Sequence, residues 1–193
     1  MKSICVFCGS NSGARAAYLA AARALAGAIA GRGLTLVYGG ANVGLMGALA
    51  DAAIAAGGKV VGVMPKALVA REIEHEDLSE FHKVDSMHER KALMADLSDG
   101  FIALPGGAGT LEEIFEIWTW GQLGHHAKPM GFLNVAGYYD KLFAFLDHQS
   151  DERFMRQVHR DMLLVEREPD RLLDGFAAYS APVVEKWISP AER

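Results

Sequence analysis

The stretch DGFIALPGGAGTLEEIFEIWTWGQL, residues 99–123, joins three kinds of sequence. GFIALP is a short apolar run that predicts a buried strand, and apolar residues recur at helical spacing from Thr110 to Leu123. Between the two, PGGAGT concentrates the residues that form tight turns. The stretch therefore predicts a strand, a turn and a helix, the kind of junction at which α/β proteins bind ligands.

Strand and helix signals alternate in the same way along the rest of the chain. Strands are predicted at 4–8, 34–40, 59–65, 81–85, 100–105, 129–134 and 161–166, and helices at about 15–30, 44–56, 87–99, 110–123, 138–149 and 170–178. The segment from Lys66 to Glu80 is charged and shows no clear period. Because such alternation builds βαβ units, we expect an α/β fold. It would be a single doubly wound, mostly parallel sheet with helices on both faces, Rossmann-like, in one domain over residues 1–193.

Composition argues against several classes of function. The chain has 193 residues, a formal net charge of −5 and no long basic run, unlike most nucleic-acid-binding surfaces. No apolar run approaches the roughly 20 residues that span a bilayer. The N-terminal MKSICVFCGS has too short an apolar part for a signal peptide. We therefore expect a cytoplasmic protein that binds neither nucleic acid nor membrane.

Neither the cysteines nor the histidines predict a metal site. Cys5 and Cys8 lie within one predicted strand, where residues three apart point to opposite faces, so a disulfide or shared metal is not expected. His75, His125 and His126 lack a convincing ligand set and are interpreted as surface residues.

Two glycine-rich loops follow predicted strands and open predicted helices. They are YGGANVGLMG at 38–47, which contains Gly40 and Gly44, and PGGAGT at 105–110, which contains Gly106. GSNSG, after the first strand, ends at the same sheet edge. Glycine allows close approach of a ligand, and a helix N-terminus offers unpaired N–H groups, a combination that suits phosphate. A pair of tight turns without a ligand is the alternative, since Glu112 replaces the last glycine of G-x-G-x-x-G and no P-loop motif occurs.

Residues near these loops also have structural interpretations that compete with ligand binding. Thr110 and Glu113 fit a capping box, with Thr110 as the N-cap. Neighbouring Glu112 and Glu113 point about 100° apart on a helix, so one of them is expected to face the ligand edge. Arg90 shares a helix face with Met94 and Leu97, either as a solvated arginine or turned inward to hold a phosphate or carboxylate.

The order of these motifs resembles the LOG family, the cytokinin-activating phosphoribohydrolases. YGGANVGLMG at 38–47, SMHERKALMADLSDGFIALPGGAGTLEE at 86–113 and WTWGQLGHHAKPMGFLN at 118–134 carry the resemblance, and SICVFCGSNSG looks like the family's first strand and loop. The combination of M-x-x-R-K with P-G-G-x-G-T-x-x-E is its specific part. The resemblance covers roughly residues 3–165.

The resemblance implies hydrolysis of the N-glycosidic bond of a purine riboside 5′-monophosphate, without metal or cofactor, by a homodimer. Arg90 and Glu113 match the catalytic pair. With the glycine loops, the expected substrate-binding residues are Gly40, Gly44, Glu72, Arg90, Lys91, Gly106, Gly107, Ala108, Gly109, Thr110, Leu111, Glu112, Glu113 and Thr119. Glu113 must be ionised to stabilise an oxocarbenium-like transition state or to accept a proton from water, and a nearby Arg90 would favour that form. Arg90 could instead hold Glu113 in place or bind the phosphate.

Two departures from the family and two other functions are considered. Ala41 replaces a glycine and would be strained at a positive φ, and Ala108 stands where many members carry a larger side chain, which bears on purine preference.

A carrier of a phosphorylated cofactor, such as a molybdenum cofactor, would not need the Arg90–Glu113 pair. A pyridoxal-phosphate-dependent decarboxylase would need a Schiff-base lysine, for which Lys91 and Lys128 lack a supporting motif. Trp118 and Trp120 must be buried, in the core or against a partner.

Overall fold

The computed structural model describes residues 1–69, 75 and 77–182. The strands are β1 (Ser3–Phe7), β2 (Thr35–Tyr38), β3 (Val60–Pro65), β4 (Glu80–Val84), β5 (Phe101–Ala103), β6 (Met130–Leu133) and β7 (Leu163–Glu166). The helices are α1 (Ala16–Gly31), α2 (Gly44–Ala55), α3 (Lys66–Val69), α4 (Met87–Asp96), α5 (Ala108–Gln122), α6 (Asp140–Asp151), α7 (Gln157–Arg160) and α8 (Pro169–Ala178), with a 3₁₀ turn at Val135–Gly137.

The seven strands form one sheet in the order β4-β3-β2-β1-β5-β6-β7, and every pair is parallel. β1 lies at the centre, where Cys5 is in register with Val37 of β2 and Phe101 of β5. Chain order reverses at β1, so the crevice beyond the carboxyl ends of β1 and β5 is the topological switch point. The predicted α/β fold is confirmed.

Helices cover both faces of the sheet and divide the core in two. One core packs α1, α2 and α8 against the sheet, and the other packs α4, α5 and α6. Cys8 belongs to the first core and Cys5 to the second, and both are buried free thiols. The two cysteines therefore lie on opposite faces, as their spacing predicts.

The capping box predicted for Thr110 and Glu113 is wrong. Helix α5 begins at Ala108 with Gly107 as its N-cap, and the Leu111 N–H donates to the Gly107 carbonyl over 3.2 Å. Thr110 lies inside the first turn and is buried against Gly106. A Cβ on residue 106 would lie 2.1 Å from Thr110 Oγ1. The glycines let the helix start earlier than the threonine signal indicates, and Glu113 is left free of a capping role.

A side-chain cap with a returning bond from Glu89 to the residue before the N-cap stands instead at the start of α4, where Ser86 is the N-cap. The Glu89 N–H donates to Ser86 Oγ over 3.1 Å, and Glu89 Oε2 accepts from the Asp85 N–H over 2.7 Å. The Lys66–Glu80 segment contains the single turn α3, and Glu72 lies outside the described residues. No helix within the described part of the chain is long and apolar enough to cross a membrane. One domain over residues 1–193 stays a prediction.

Candidate active site

Three loops interlock at the carboxyl edge of the sheet. The Gly9 N–H donates to the Pro105 carbonyl over 3.1 Å, and the Leu45 N–H donates to the Gly9 carbonyl over 3.1 Å. Gly44 has a φ of 55°, and a Cβ there would lie 2.3 Å from the carbonyl carbon of Ser10. The loop after β1 is thus clamped between the two glycine-rich loops predicted to bind a ligand.

A cavity of about 270 Å³ opens between the loop after β1 and the turn after β5. It is lined by Gly9, Ser10, Asn11, Ser12, Gly13, Tyr18, Leu45, Pro105, Gly106, Gly107 and Tyr138. The glycine turn at 105–107 was singled out by its sequence, but the aromatic walls Tyr18 and Tyr138 were not. Only Tyr138 could have been found from the sequence, because it follows a predicted strand that ends at this edge.

Arg90 is turned into the sheet edge. Its Nε donates to the Val63 carbonyl over 3.1 Å and its Nη2 to the Gly39 carbonyl over 3.3 Å, and its side chain is 11% exposed. A Cβ at residue 39 would lie 2.1 Å from Nη2, so only glycine leaves room for the guanidinium. The inward interpretation of Arg90 is therefore the one the structure supports.

Glu113 faces Arg90 from the second turn of α5. Arg90 Nη1 and Glu113 Oε1 are 3.9 Å apart, and the carboxyl side chain is 12% exposed. Burial raises the pKa of Glu113 to about 7, an effect that Arg90 opposes without cancelling. Arg90 favours the charged form of this carboxyl, as expected, but desolvation outweighs the guanidinium and leaves the group balanced between two protonation states near neutral pH.

Lys91 and Glu112 form a second pair on the outer side of the same helices. Lys91 Nζ donates to Glu112 and lies 2.8 Å from Glu116 Oε2. Burial lowers the pKa of Lys91, but the bonds to the two carboxylates outweigh it and raise the pKa above its usual value. Lys128 Nζ is bonded to the Ala95 carbonyl over 2.8 Å. Both lysine ammonium groups are thus engaged by oxygen acceptors within the protein.

The other predicted binding residues lie in three places. Gly107, Ala108 and Gly109 are exposed at the start of α5, beside half-buried Leu111 and buried Thr110. Gly40 has a φ of 82°, and its carbonyl accepts from the His75 N–H over 3.2 Å. Thr119 lies two turns further along α5, where its hydroxyl donates to the Phe115 carbonyl over 2.8 Å. The structure does not bring Thr119 to the cavity.

The structure settles two questions about single residues. Ala41 is fully buried and its φ is not positive, so the condition for strain at this position is not met. His75 is not a surface residue: it is 6% exposed, and its Nε2 lies 2.9 Å from Asp51 Oδ1. Among the residues that the structure describes, no three His, Cys, Asp or Glu side chains gather as a metal would require.

Known proteins resemble the chain along most of its length. A family model described as "Possible lysine decarboxylase" matches residues 46–176. A probable cytokinin riboside 5′-monophosphate phosphoribohydrolase of Oryza sativa subsp. japonica is 48% identical over 179 residues, 93% of this chain and 72% of the relative. A cytokinin riboside 5′-monophosphate phosphoribohydrolase of Arabidopsis thaliana is 48% identical over 178 residues, 92% of this chain and 78% of the relative.

Solved structures share the fold at lower identity. The molybdenum cofactor binding protein of Rippkaea orientalis has a TM-score of 0.69 and 22% identity, covering 92% of this chain and 97% of that one. The molybdenum cofactor carrier protein of Chlamydomonas reinhardtii has a TM-score of 0.69 and 20% identity, covering 92% and 99%. At such identities the likeness establishes the architecture alone.

Proposed function

The chain belongs to the LOG family, and from this we propose that it hydrolyses the N-glycosidic bond of adenosine 5′-monophosphates, including N6-modified ones. The products would be ribose 5-phosphate and a free base, either a cytokinin or adenine. The observation that carries the proposal is the largely buried Arg90–Glu113 pair at the sheet edge, with side chains 11% and 12% exposed. A purely binding protein has no need of such a pair.

Glu113 is the proposed general base. Hydrolysis breaks the bond between C1′ and the base nitrogen, adds the hydroxyl of water to C1′, and leaves the proton of water on the base. A carboxyl with a pKa of about 7 can accept a proton from water at neutral pH and pass it on to the leaving base. Its ionised form also stabilises positive charge that develops on the ribose ring.

Arg90 is the proposed partner that holds substrate against Glu113. Two of its nitrogens are anchored on backbone carbonyls, while Nη1 lies 3.9 Å from Glu113 Oε1 and 3.9 Å from Met87 Sδ. The distance to the carboxylate exceeds that of a hydrogen bond, so both groups keep capacity to bind a ribose hydroxyl or a water. We therefore assign Arg90 a role in orientation as well as in tuning Glu113.

The glycine turn after β5 is the proposed site of the 5′-phosphate. Gly106 to Leu111 lie in the turn and the first turn of α5, where backbone N–H groups and the helix dipole attract an anion. Gly40 and Gly44 shape the neighbouring loop by their positive φ. Contacts of Glu72, Lys91, Glu112 and Thr119 with substrate remain part of the proposal on the strength of the family pattern.

Nucleotide hydrolysis by the metal-free protein tests the proposal. AMP and N6-isopentenyl-AMP are incubated with enzyme, and free base and ribose 5-phosphate are quantified. Glu113→Gln is expected to lower kcat by about 10²–10⁴-fold, the usual contribution of a general base. Arg90→Ala is expected to abolish most activity too. Glu116→Gln, which alters the next carboxylate along α5, serves as the control and should retain activity.

Failure to release base from either nucleotide, with a phosphorylated ligand still bound, would contradict the proposal and favour a carrier. Equal activity of Glu113→Gln and Glu116→Gln would refute the role of Glu113. Activity on adenosine equal to that on AMP would refute the phosphate site.

A homodimer is the proposed assembly. Trp118 is buried within the chain, where its Nε1 donates to the His159 carbonyl over 2.9 Å, so its burial does not require a partner subunit. Apolar side chains remain exposed elsewhere: Leu123 at the end of α5 (47%), Phe145 on α6 (56%) and Phe154 after α6 (88%). Sedimentation velocity tests the assembly, and a monomer at micromolar concentration would contradict it. The cytoplasmic location stays a prediction.

A further inference from the structure

Two neighbouring tyrosines after β6 reach across to the turn after β5. Tyr138 Oη donates to the Gly106 carbonyl over 2.6 Å, and Tyr139 Oη donates to the Leu104 carbonyl over 2.7 Å. Tyr139 is buried, whereas Tyr138 is 43% exposed and lines the cavity. One hydroxyl thus binds the glycine turn at the cavity wall, and the other binds the residue just before the turn inside the protein.

The segment that carries the two tyrosines is held in an unfavourable conformation. Ala136 adopts a left-handed backbone, with φ 51° and ψ 29°, a region that alanine rarely occupies. The Asn134 side chain fixes the turn by accepting from the Tyr139 N–H over 2.9 Å and donating to Asp140 Oδ1 over 2.6 Å. Strain of this kind persists where surrounding contacts enforce it, and it concentrates at functional sites.

Packing also fixes the ring of Tyr138. It meets Tyr18 edge to face, with centroids 5.6 Å apart at 78°, and Tyr139 with centroids 4.8 Å apart at 84°. The hydroxyl of Tyr138 is therefore presented to the Gly106 carbonyl by a ring that has little freedom of its own.

The bond from Tyr138 restrains the peptide between Gly106 and Gly107. In a trans peptide the C=O and N–H groups point in opposite directions, so fixing the Gly106 carbonyl on Tyr138 also fixes the Gly107 N–H. A Cβ on Gly107 would meet nothing within 4 Å, so packing does not hold this residue, and glycine rotates easily between backbone regions. The preceding carbonyl, of Pro105, is already held by the Gly9 N–H.

We infer that Tyr138 is a positioning residue that sets the Gly106–Gly107 peptide for the 5′-phosphate of the substrate. Its hydroxyl donates to a carbonyl oxygen at the rim of the cavity, whose partial negative charge would otherwise repel a phosphate. The same bond keeps the neighbouring N–H in a fixed direction before the ligand binds. Preorganisation of this kind strengthens binding by removing the entropy cost of ordering. The inference rests on the proposed function, because it takes the phosphate end of a nucleotide as the occupant of the turn.

Tyr138→Phe and Tyr139→Phe form a matched pair, because each removes one hydroxyl bonded to one carbonyl of the same segment. For both variants, kcat, KM for AMP and the inhibition constants of ribose 5-phosphate and adenine are measured. Tyr138→Phe is expected to raise KM and the ribose 5-phosphate constant about tenfold, the effect of a lost hydrogen bond, with kcat and the adenine constant unchanged. Tyr139→Phe is expected to lower the melting temperature without changing the ratio of the two inhibition constants.

The outcomes separate this inference from the proposed function. If wild type hydrolyses AMP and Tyr138→Phe leaves the ratio of inhibition constants unchanged, the inference is overturned and the function stands. If Tyr138→Phe weakens ribose 5-phosphate and adenine equally, the tyrosine is merely structural. If wild type hydrolyses no nucleotide, the function fails, and calorimetric titration of ribose 5-phosphate into wild type and Tyr138→Phe still decides whether Tyr138 serves a phosphate site.

Discussion

Glu113 shows how one side chain's chemistry depends on burial as much as on its neighbour. The sequence places a carboxylate and an arginine near each other and so predicts an ionised Glu113. In the structure the carboxyl is 12% exposed, and burial raises its pKa to about 7 despite Arg90. The depth at which a helix sinks against a sheet is a tertiary property, so the identity of this residue was predictable and its protonation was not.

The raised pKa of Glu113 makes stability depend on pH. The unfolded carboxyl loses its proton near pH 4.5, whereas the folded one keeps it until about pH 7, so the wild-type free energy of unfolding falls across this window. Glu113→Gln lacks this titration. The stability of the variant relative to wild type should therefore rise by roughly 3 kcal/mol between pH 4.5 and pH 7 and then level off. Urea denaturation at several pH values measures it, and parallel curves would contradict the raised pKa.

Gly39 leaves room for Arg90 of the proposed catalytic pair. Its φ is not positive, so alanine suits the backbone, but a Cβ would lie 2.1 Å from Arg90 Nη2. We expect Gly39→Ala to displace the guanidinium and to lower activity by about 100-fold, comparable to the loss of a positioned catalytic group, while the fold persists.

Gly27→Ala is the matched control for Gly39. A Cβ there meets nothing within 4 Å, and alanine favours the helix by up to about 1 kcal/mol, so activity should be kept and stability should rise. Near-wild-type activity of Gly39→Ala would show that Arg90 tolerates displacement.

Helices α4 and α5 differ in how well their starts could be predicted. In the S-x-x-E pattern of α4, Ser86 is the N-cap and accepts from the Glu89 N–H. In the T-x-x-E pattern of α5, Thr110 is not the N-cap, because α5 begins two residues before it. Glycines at 106 and 107 allow the earlier start, and the same sequence pattern therefore has two structural meanings. Lys91 illustrates a further limit, since its two carboxylate partners depend on how α4 packs against α5.

Ser86→Ala tests the cap of α4, which presents Arg90 one turn later. Loss of the hydroxyl leaves the Glu89 N–H without its acceptor, so the free energy of unfolding should fall by about 1 kcal/mol. Ser86→Asn, which keeps a capping oxygen, should restore most of it. Chemical denaturation measures both variants, and an equal loss in the two would mean that the side chain contributes through packing.

The arrangement of the whole sheet was the most predictable property of the molecule. Alternating strand and helix patterns require a parallel sheet, and the glycine loops mark the edge where ligands bind. What sequence could not predict is the long-range closure of the site: Tyr138 follows the glycine turn by more than thirty residues and meets it only because β5 and β6 are neighbours.

Cys5 and Cys8 report on the two cores separately. Burial raises the pKa of both thiols, and Cys5 is fully buried while Cys8 is 8% exposed. Neither should react with a thiol reagent in the native protein at pH 8. In single-cysteine variants, Cys5→Ala and Cys8→Ala, labelling should require the same free energy of opening if the two cores unfold together. Faster labelling of one thiol by more than tenfold would show that its core opens first.

The charged contacts between α4 and α5 affect which substitutions the protein could accept during evolution. Lys91 with Glu112 and Glu116 ties the helices together on the outside, so the inner pair, Arg90 and Glu113, is not needed to hold them. On the role proposed for Glu113, its replacement by a neutral residue would remove catalysis while the architecture and the proposed phosphate site stay in place. On that proposal, one substitution separates the hydrolase from a protein that only binds its ligand.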